Sequence, residues 1–327
     1  MTGNQQTAVD GVAMGDRRME LLHWMILGRE IDRALSKADG FWHEIYGEEA
    51  VIAGSFLALR SDDVALPHYR GALLASLVRG ADLRRMLGGV LGKVTSPSRG
   101  RWRGDVTGEV GPNQITPFSG CLGPSLGYAA GAALSAKLKG IDRVAMVAFG
   151  DGTTNSGLFH ESLNLASMLR LPAIFVCQNN QYAISMPARV AIPGSILRQA
   201  ESYGMTAIEV DGNDAVAVYE AVSAAAERGR SGAGPTFIHA LTYRLGGHWA
   251  TDPMTYRPAE EAKIWATRDP VARLSNQLIA DGKLTQELLA ESVSDAAEQA
   301  AQALALALAD PWPGADVIAG DVYAPNC

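Results

Sequence analysis

The chain has 327 residues, 47% of them hydrophobic and 19% charged, with a formal net charge of −7. It is long enough to bury a large core, and its mild acidity excludes charge-driven binding to nucleic acid or to an anionic membrane surface. No run approaches the ~20 apolar residues of a membrane span, so no membrane partner is expected.

The first residues, MTGNQQTAVDG, have neither the basic nor the apolar region of a signal peptide. Residues 1–16 read as a flexible arm, and residues 17–327 as a single α/β domain with a helical C-terminal extension. Arg17 to Lys37 is helical in pattern, with Met19, Leu22, Ile26 and Leu35 on one face. Glu48 to Leu59 is a second helix, VALP at 64–67 is strand-like, and Leu73 to Leu91 is a third helix or a pair. Lys93 to Gly120 has no clear period and is rich in Gly, Pro and Arg, as functional loops are. Cys121 to Leu138 is a helix of small apolar residues, and Val144 to Phe149 is a strand buried on both faces. Leu158, Phe159, Leu163, Ala166 and Leu169 form a helix face that Pro172 stops, and Ala173 begins the next strand. Ala207 to Val210 and Thr236 to Leu241 are further strands, flanking a helix capped by Asp214. Residues 244–258 are loop-like, and Thr285 to Ala309 is a long Ala/Leu helix stopped by Pro311. The three cysteines, Cys121, Cys177 and Cys327, form no CxxC and no paired framework, which points to a reduced, cytoplasmic protein.

The most informative stretch is GDGTTNSGLFHESLNLASMLRLPAIFVCQNN, from Gly150 to Asn180. It is a strand–helix–strand unit with a carboxylate, Asp151, after the first strand and an asparagine pair after the second. A crossover between parallel strands brings both strand ends to one sheet edge, where open α/β sheets bind ligands. Gly150 and Gly152 permit a tight turn with close backbone approach. Asp and Asn oxygens suit Mg²⁺, which takes one or two protein carboxylates together with phosphate oxygens, and the next helix N-terminus offers N–H groups to an anion. Alone, GDG is a turn, Asp151 a helix cap and Asn-Asn a loop. At two strand ends one crossover apart, they suit a magnesium-held diphosphate.

With these residues the chain resembles the alpha subunits of the decarboxylating, thiamine-diphosphate-dependent component of 2-oxo acid dehydrogenase complexes, whose main branches act on pyruvate, branched-chain 2-oxo acids and acetoin. The GDG…NN spacing resembles that family's cofactor motif, and FHESLNLA…LPAIFVCQNNQYAIS is more specific still. The likeness runs from about residue 17 to 325. It implies a thiamine-diphosphate-binding α/β fold, with a mostly parallel sheet flanked by helices. Asp151, Asn180 and the backbone carbonyl of Tyr182 are then the Mg²⁺ ligands. Gly152, Thr153 and Asn155 face the diphosphate, as do Tyr69 and Arg70 of the PHYRG segment, where Arg supplies a phosphate-binding fork. From the residues alone Arg70 also reads as a surface arginine. Thr116 and Phe118 meet the cofactor at the end of the long loop, with Phe118 as the apolar wedge between its rings, although Phe118 also reads as an ordinary core residue.

His248, in YRLGGHWATDPMTYRP, resembles the family's catalytic histidine, which also contacts the cofactor and moves a proton during acyl transfer. His43, His160 and His239 read as structural or solvated. The chain departs from the pattern in four places. SGCLGP stands at a potassium site of some members. SRGRWRG, with Arg99, Arg101 and Arg103, replaces a GKGGSMHM-like segment, and these arginines suit a substrate carboxylate, the partner subunit or water. Gly246 stands where many relatives carry a second histidine. Trp249 stands where phosphorylated relatives carry serine.

The expected function is that of an alpha subunit carrying out oxidative decarboxylation, with pyruvate as the first candidate substrate and transfer of the acyl group to a lipoyl acyltransferase component. Acetoin cleavage, a lipoyl-independent carboligase or decarboxylase, and a non-catalytic nucleotide-binding protein are the alternatives. The last is weakest, because no GxGxxG opens a helix after the first strand. Only one diphosphate signature is present. The resemblance implies a second, related domain that holds the aminopyrimidine with a glutamate, so a beta subunit is expected to supply it, in an assembly of two alpha and two beta chains.

Overall fold

The computed structural model describes residues 17–38, 41–101 and 121–320. In chain order the elements are α1 (Arg17–Leu35), α2 (Glu49–Leu57), β1 (Val64–Leu66), α3 (Ala72–Val78), α4 (Leu83–Leu91), α5 (Pro124–Lys139) and β2 (Ala145–Gly150). A 3-10 turn (Asp151–Asn155) leads into α6 (Gly157–Met168) and β3 (Ala173–Asn179), followed by β4 (Tyr182–Ala183) and β5 (Met186–Pro187). Then come α7 (Ala188–Ala191), α8 (Ile196–Glu201), β6 (Thr206–Asp211), α9 (Ala215–Arg230), β7 (Thr236–Leu241), α10 (Ala259–Ala266), α11 (Pro270–Ala280), α12 (Gln286–Ala309) and α13 (Asp316–Ala319).

Five strands form one parallel sheet in the order β1-β2-β3-β7-β6. Alternation along each strand divides the core. Ala145, Val147, Phe149, Phe175, Cys177 and Phe237 meet α5, α6 and α8 through residues such as Leu126, Phe159, Leu163 and Ile196. Val144, Met146, Ala148, Ile174, Val176 and Ile238 meet α2, α3 and α9 on the other face. Phe159 and Leu163 are fully buried, so each adds roughly 2–3 kcal/mol by leaving water and together they hold α6 on the sheet. Ser156 caps that helix by accepting from the Phe159 backbone N–H.

The α/β class and the parallel sheet expected from the sequence are observed. The segment read as one helix or two is a pair, α3 and α4, with Gly80 between them at φ 91°. The second strand of the crossover takes in Asn179, the first of the asparagine pair read as following it, because its polar end is buried with partners. The β4–β5 hairpin, α7, α8, α10 and α11 are additional to the elements read from the sequence.

The Ala/Leu helix α12 is a core helix on one side. Ala296, Ala300, Leu304 and Ala307 pack with α1, α4 and α11, while Leu306 and Leu308 are exposed. Its C-terminal end is tied down by buried Asp310, which accepts from Arg84 and Thr95, and by Lys93, which donates to the carbonyls of Leu308 and Asp310. Arg101 donates to the carbonyls of Val317 and Gly320, so this arginine of the SRGRWRG segment anchors the C-terminal stretch. No helix among the described residues is long and apolar enough to cross a membrane.

Candidate active site

The sheet register brings the chemistry to one edge. Gly150 of β2 pairs with Gln178 of β3, and Asn179 pairs with Leu241 of β7. Asp151, Asn180 and the segment from Thr242 to Arg244 therefore leave three adjacent strands at one level, with neighbouring strands about 5 Å apart. The short strand β1 delivers Pro67-His68-Tyr69-Arg70 to the same edge. The Asp151 and Asn180 turns touch, since a Cβ on Gly152 would stand 2.8 Å from that of Ala183. Gly152 is thus required by the contact between the turns.

Asp151 is 1% exposed, and its Oδ2 has no hydrogen-bond partner among the described residues. A buried carboxylate oxygen left open in this way suits a cation. Burial pushes the Asp151 carboxyl up to about 7, and the charge of Glu48 adds to the rise. Asn180 is also buried. Its amide donates to Glu48 Oε1 at 2.9 Å, and its Oδ1 accepts from the Tyr182 backbone N–H at 3.2 Å. The turn after β3 is strained, with Gln181 at φ 73° and the β-branched Ile184 at φ 56°. Arg244, fully buried, braces it by donating to the Ile184 carbonyl at 2.7 Å, and lies 3.5 Å from the Tyr182 carbonyl.

Glu48 is the hub of this edge. It is wholly buried and accepts from Gln178 Nε2 at 2.5 Å as well as from Asn180, and its Oε1 is 3.3 Å from Arg70 Nε. Burial raises its carboxyl, against the opposing pull of Arg70 and the two amides. Gly47 sets its place. At φ 95° the turn is left-handed, and a Cβ there would lie 2.4 Å from the Tyr243 carbonyl. Arg70 is 1% exposed and donates to the Glu44 carbonyl at 2.7 Å and the His248 carbonyl at 2.8 Å.

His248 lies on the loop after β7. Asp252 shapes that loop by accepting from the His248 backbone N–H and the Tyr256 hydroxyl, each at 2.6 Å. The His248 Nδ1 is 3.3 Å from Arg70, whose guanidinium can only donate, so the imidazole proton resides on Nε2. Burial, then the Arg70 charge, lowers the His248 imidazole to about 3. It is neutral at physiological pH and presents an N–H donor. The His43 ring packs edge-on against His248, with centroids 5.1 Å apart, and against Tyr69 at 4.5 Å. His68 is buried next to Tyr69 and is lowered well below the usual imidazole range by burial and the Arg70 charge.

The family model described as "Dehydrogenase E1 component" matches residues 17–316. The chain belongs to the dehydrogenase E1 component family. It is 37% identical over 301 residues to the alpha subunit of 3-methyl-2-oxobutanoate dehydrogenase from Mycobacterium tuberculosis, covering 87% of this chain and 79% of that one. It is 34% identical to the pyruvate dehydrogenase E1 component subunit alpha of Porphyra purpurea, covering 92% of this chain and 91% of the relative. It is 33% identical to the alpha subunit of acetoin:2,6-dichlorophenolindophenol oxidoreductase from Bacillus subtilis, covering 87% and 85%. The expected kinship with alpha subunits of these dehydrogenases, and with it an oxidoreductase function, is met at the level of the family.

Within this E1 chain the structure gathers Tyr69, Arg70, Asp151, Gly152, Thr153, Asn180, Tyr182 and His248 at one edge. Asn155 is turned outward and donates to the Ala191 carbonyl at 3.1 Å. Thr116, Phe118 and Arg103 lie outside the described residues. His160 bonds to the Tyr203 hydroxyl, and His239 bridges Asn179 and Glu209, as structural histidines do. Sequence reasoning passed over Glu48, Arg244 as a brace, and His43. The space beside Gly246 is taken from the opposite side, since a Cβ there would lie 2.6 Å from Glu44 Oε2.

Proposed function

We propose that this chain is the alpha subunit of a thiamine-diphosphate-dependent enzyme that oxidatively decarboxylates a small 2-oxo acid, pyruvate first, and passes the acyl group to a lipoyl acyltransferase component. The observation that carries this is the buried, half-unpartnered Asp151 carboxylate at the end of β2, beside Asn180 at the end of β3. In this reading Asp151, Asn180 and the Tyr182 carbonyl hold Mg²⁺. One carboxylate with neutral oxygens is the donor set of a hard cation that shares phosphate oxygens. Among the described residues no group of three or more His, Cys, Asp or Glu side chains is placed to hold a metal ion, and this oxygen set does not require one. Gly152 and Thr153 face the diphosphate, together with Tyr69 and with Arg70 once it exchanges a protein carbonyl for a phosphate oxygen; Asn155, expected there from the resemblance, would have to give up its bond to the Ala191 carbonyl to join them. Thr116 and Phe118 contact the rings.

The bound cofactor supplies the nucleophile for the keto carbon and a store for the electrons that decarboxylation releases. The chain's own residues position and polarise. Arg70 holds His248 in its Nε2–H tautomer, and Asp252 fixes the loop. The neutral imidazole then donates a hydrogen bond to an oxygen that gains negative charge. His43 and Tyr69 wall this donor from one side. The glutamate on the aminopyrimidine side comes from a beta subunit, in an assembly of two alpha and two beta chains. A reducing cytoplasm suits its scattered cysteines.

The test is to co-express this chain with its gene-neighbour beta chain and to assay pyruvate, branched-chain 2-oxo acids and acetoin with an artificial electron acceptor and with a lipoyl domain. Turnover that needs Mg²⁺ and thiamine diphosphate, is highest with pyruvate and acylates the lipoyl domain is expected. Preference for acetoin would move the assignment to the acetoin branch. Turnover without lipoyl acylation would remove the acyltransferase partner. Full activity of the alpha chain alone would overturn the two-subunit site.

A further inference from the structure

Glu48 stands outside the residues that touch metal or cofactor in the reading above, yet more of the site converges on it than on any ligand. It is wholly buried at the N-cap position just before α2, on a different layer of the protein from the two turns it serves. One carboxylate oxygen accepts from Asn180 Nδ2, and the other from Gln178 Nε2. Arg70 approaches from the side at 3.3 Å. Both amides present their NH₂ groups to it, which leaves each amide oxygen pointing elsewhere. For Asn180 that oxygen is the one proposed to meet Mg²⁺, and its other fixed contact is the Tyr182 backbone N–H. The opposite flip of Asn180 would set an amide oxygen against the Glu48 carboxylate and an NH₂ against the Tyr182 N–H, so it is excluded on both sides.

We infer that Glu48 is a positioning residue that locks the Asn180 amide, and through Arg70 the His248 imidazole, in the orientation the magnesium–diphosphate site requires. This rests on the cofactor assignment proposed above. Gln178 sets the distance. It lies on the face of β3 that Ile174 and Val176 turn toward α2, and its amide donates to Glu48 Oε2 at 2.5 Å. Gly47 sets the direction, since its left-handed turn aims the helix start at the strand ends. Groups one shell behind metal ligands typically contribute 10–100-fold in metal affinity.

The experiment is a double-mutant cycle on the alpha–beta complex, read by calorimetry of Mg²⁺ binding in the presence of thiamine diphosphate and by thermal melting of the cofactor-free complex. Glu48→Gln presents an NH₂ to one of two amide donors, and at least a tenfold loss of Mg²⁺ affinity is expected. Asn180→Asp places two carboxylates face to face, and loss is again expected. The double variant restores complementarity. Its new glutamine side chain keeps an oxygen for Gln178 and donates to the new carboxylate on β3's turn, so it should bind Mg²⁺ more tightly than either single variant. Additive weakening in the double variant, or unchanged affinity in Glu48→Gln, would overturn the positioning role. If Glu48→Gln does not assemble, comparison of the double variant with Asn180→Asp carries the same test. Asp151→Ala is the control for the cofactor assignment. Undiminished binding in that variant removes the assignment itself, whereas loss there with no effect at Glu48 removes only the positioning role.

Discussion

If Asp151 holds Mg²⁺ as proposed, its burial should couple metal binding to pH. Its carboxyl stands at about 7 in the folded, cofactor-free chain, against 3.8 when exposed. A raised carboxyl means that the folded state holds the proton more tightly than the unfolded state. The stability it contributes is therefore full below about pH 4, falls as pH rises, and is lost above about 7. The difference of about 3 pH units corresponds to roughly 4 kcal/mol. Asp151→Asn carries no charge at any pH, so its cofactor-free form should melt several degrees above the parent at pH 8 and at nearly the same temperature near pH 4. Mg²⁺ needs the ionised form. About one-tenth of Asp151 is ionised at pH 6 and about nine-tenths at pH 8, so apparent Mg²⁺ affinity should rise roughly tenfold over that range. Calorimetry at pH 6 in two buffers of different ionisation enthalpy should detect close to one proton released per ion bound, falling toward zero at pH 8. Magnesium affinity that is flat between pH 6 and 8, or an Asp151→Asn protein no more stable at pH 8, would refute the buried, cation-ready carboxylate.

Three further outcomes follow from the same geometry. His248→Ala should leave thiamine diphosphate affinity intact and slow turnover by about 10²-fold or more, and full turnover with the lipoyl acceptor would make the residue structural only. Arg70→Met removes the guanidinium beside His248 Nδ1, so the imidazole should titrate at higher pH than its present value of about 3, visible by nitrogen-detected NMR of the ring; an unmoved midpoint would mean that the Arg70 charge does not lower it. Gly47→Ala sets a Cβ 2.4 Å from the Tyr243 carbonyl at a positive φ, and should destabilise the chain by about 3 kcal/mol or weaken Mg²⁺ binding through the displaced Glu48; a variant matching the parent in melting and in metal affinity would contradict the aiming role of this turn.

The residues legible in the sequence share a physical property: they follow apolar strands directly. A run such as VAMVAF can only be a buried strand, so whatever comes next lies at the sheet edge, and Asp151 and Asn180 are placed without knowledge of any tertiary contact. His248 carries its own local frame, because Asp252, four residues on, accepts from its backbone N–H and is itself held by the Tyr256 hydroxyl. Glu48 has no such frame. In GEEA it reads as an acidic first turn that favours the helix dipole, and only the packing of α2 against the sheet reveals that it faces two amides and a guanidinium. His43 is similar, since the segment between α1 and α2 has no period, and its proximity to His248 arises from a contact across about two hundred positions. The inclusion of Asn179 in β3, rather than after it, has a related reason. Hydrophobic patterning ends a strand where polar residues begin, but here Glu48 satisfies Gln178 and His239 contacts Asn179, so the backbone stays in the sheet. What pattern could not disclose is thus one connected object. Gln178, which lengthens β3, shares the Glu48 carboxylate with Asn180, and the charge of that buried glutamate adds to the burial that raises the carboxyl of Asp151. On the proposed reading, strand length, Asn180 orientation and Mg²⁺ affinity all depend on a single carboxylate placed by a glycine turn, so a change at any one of Gly47, Glu48 or Gln178 should be felt at all three.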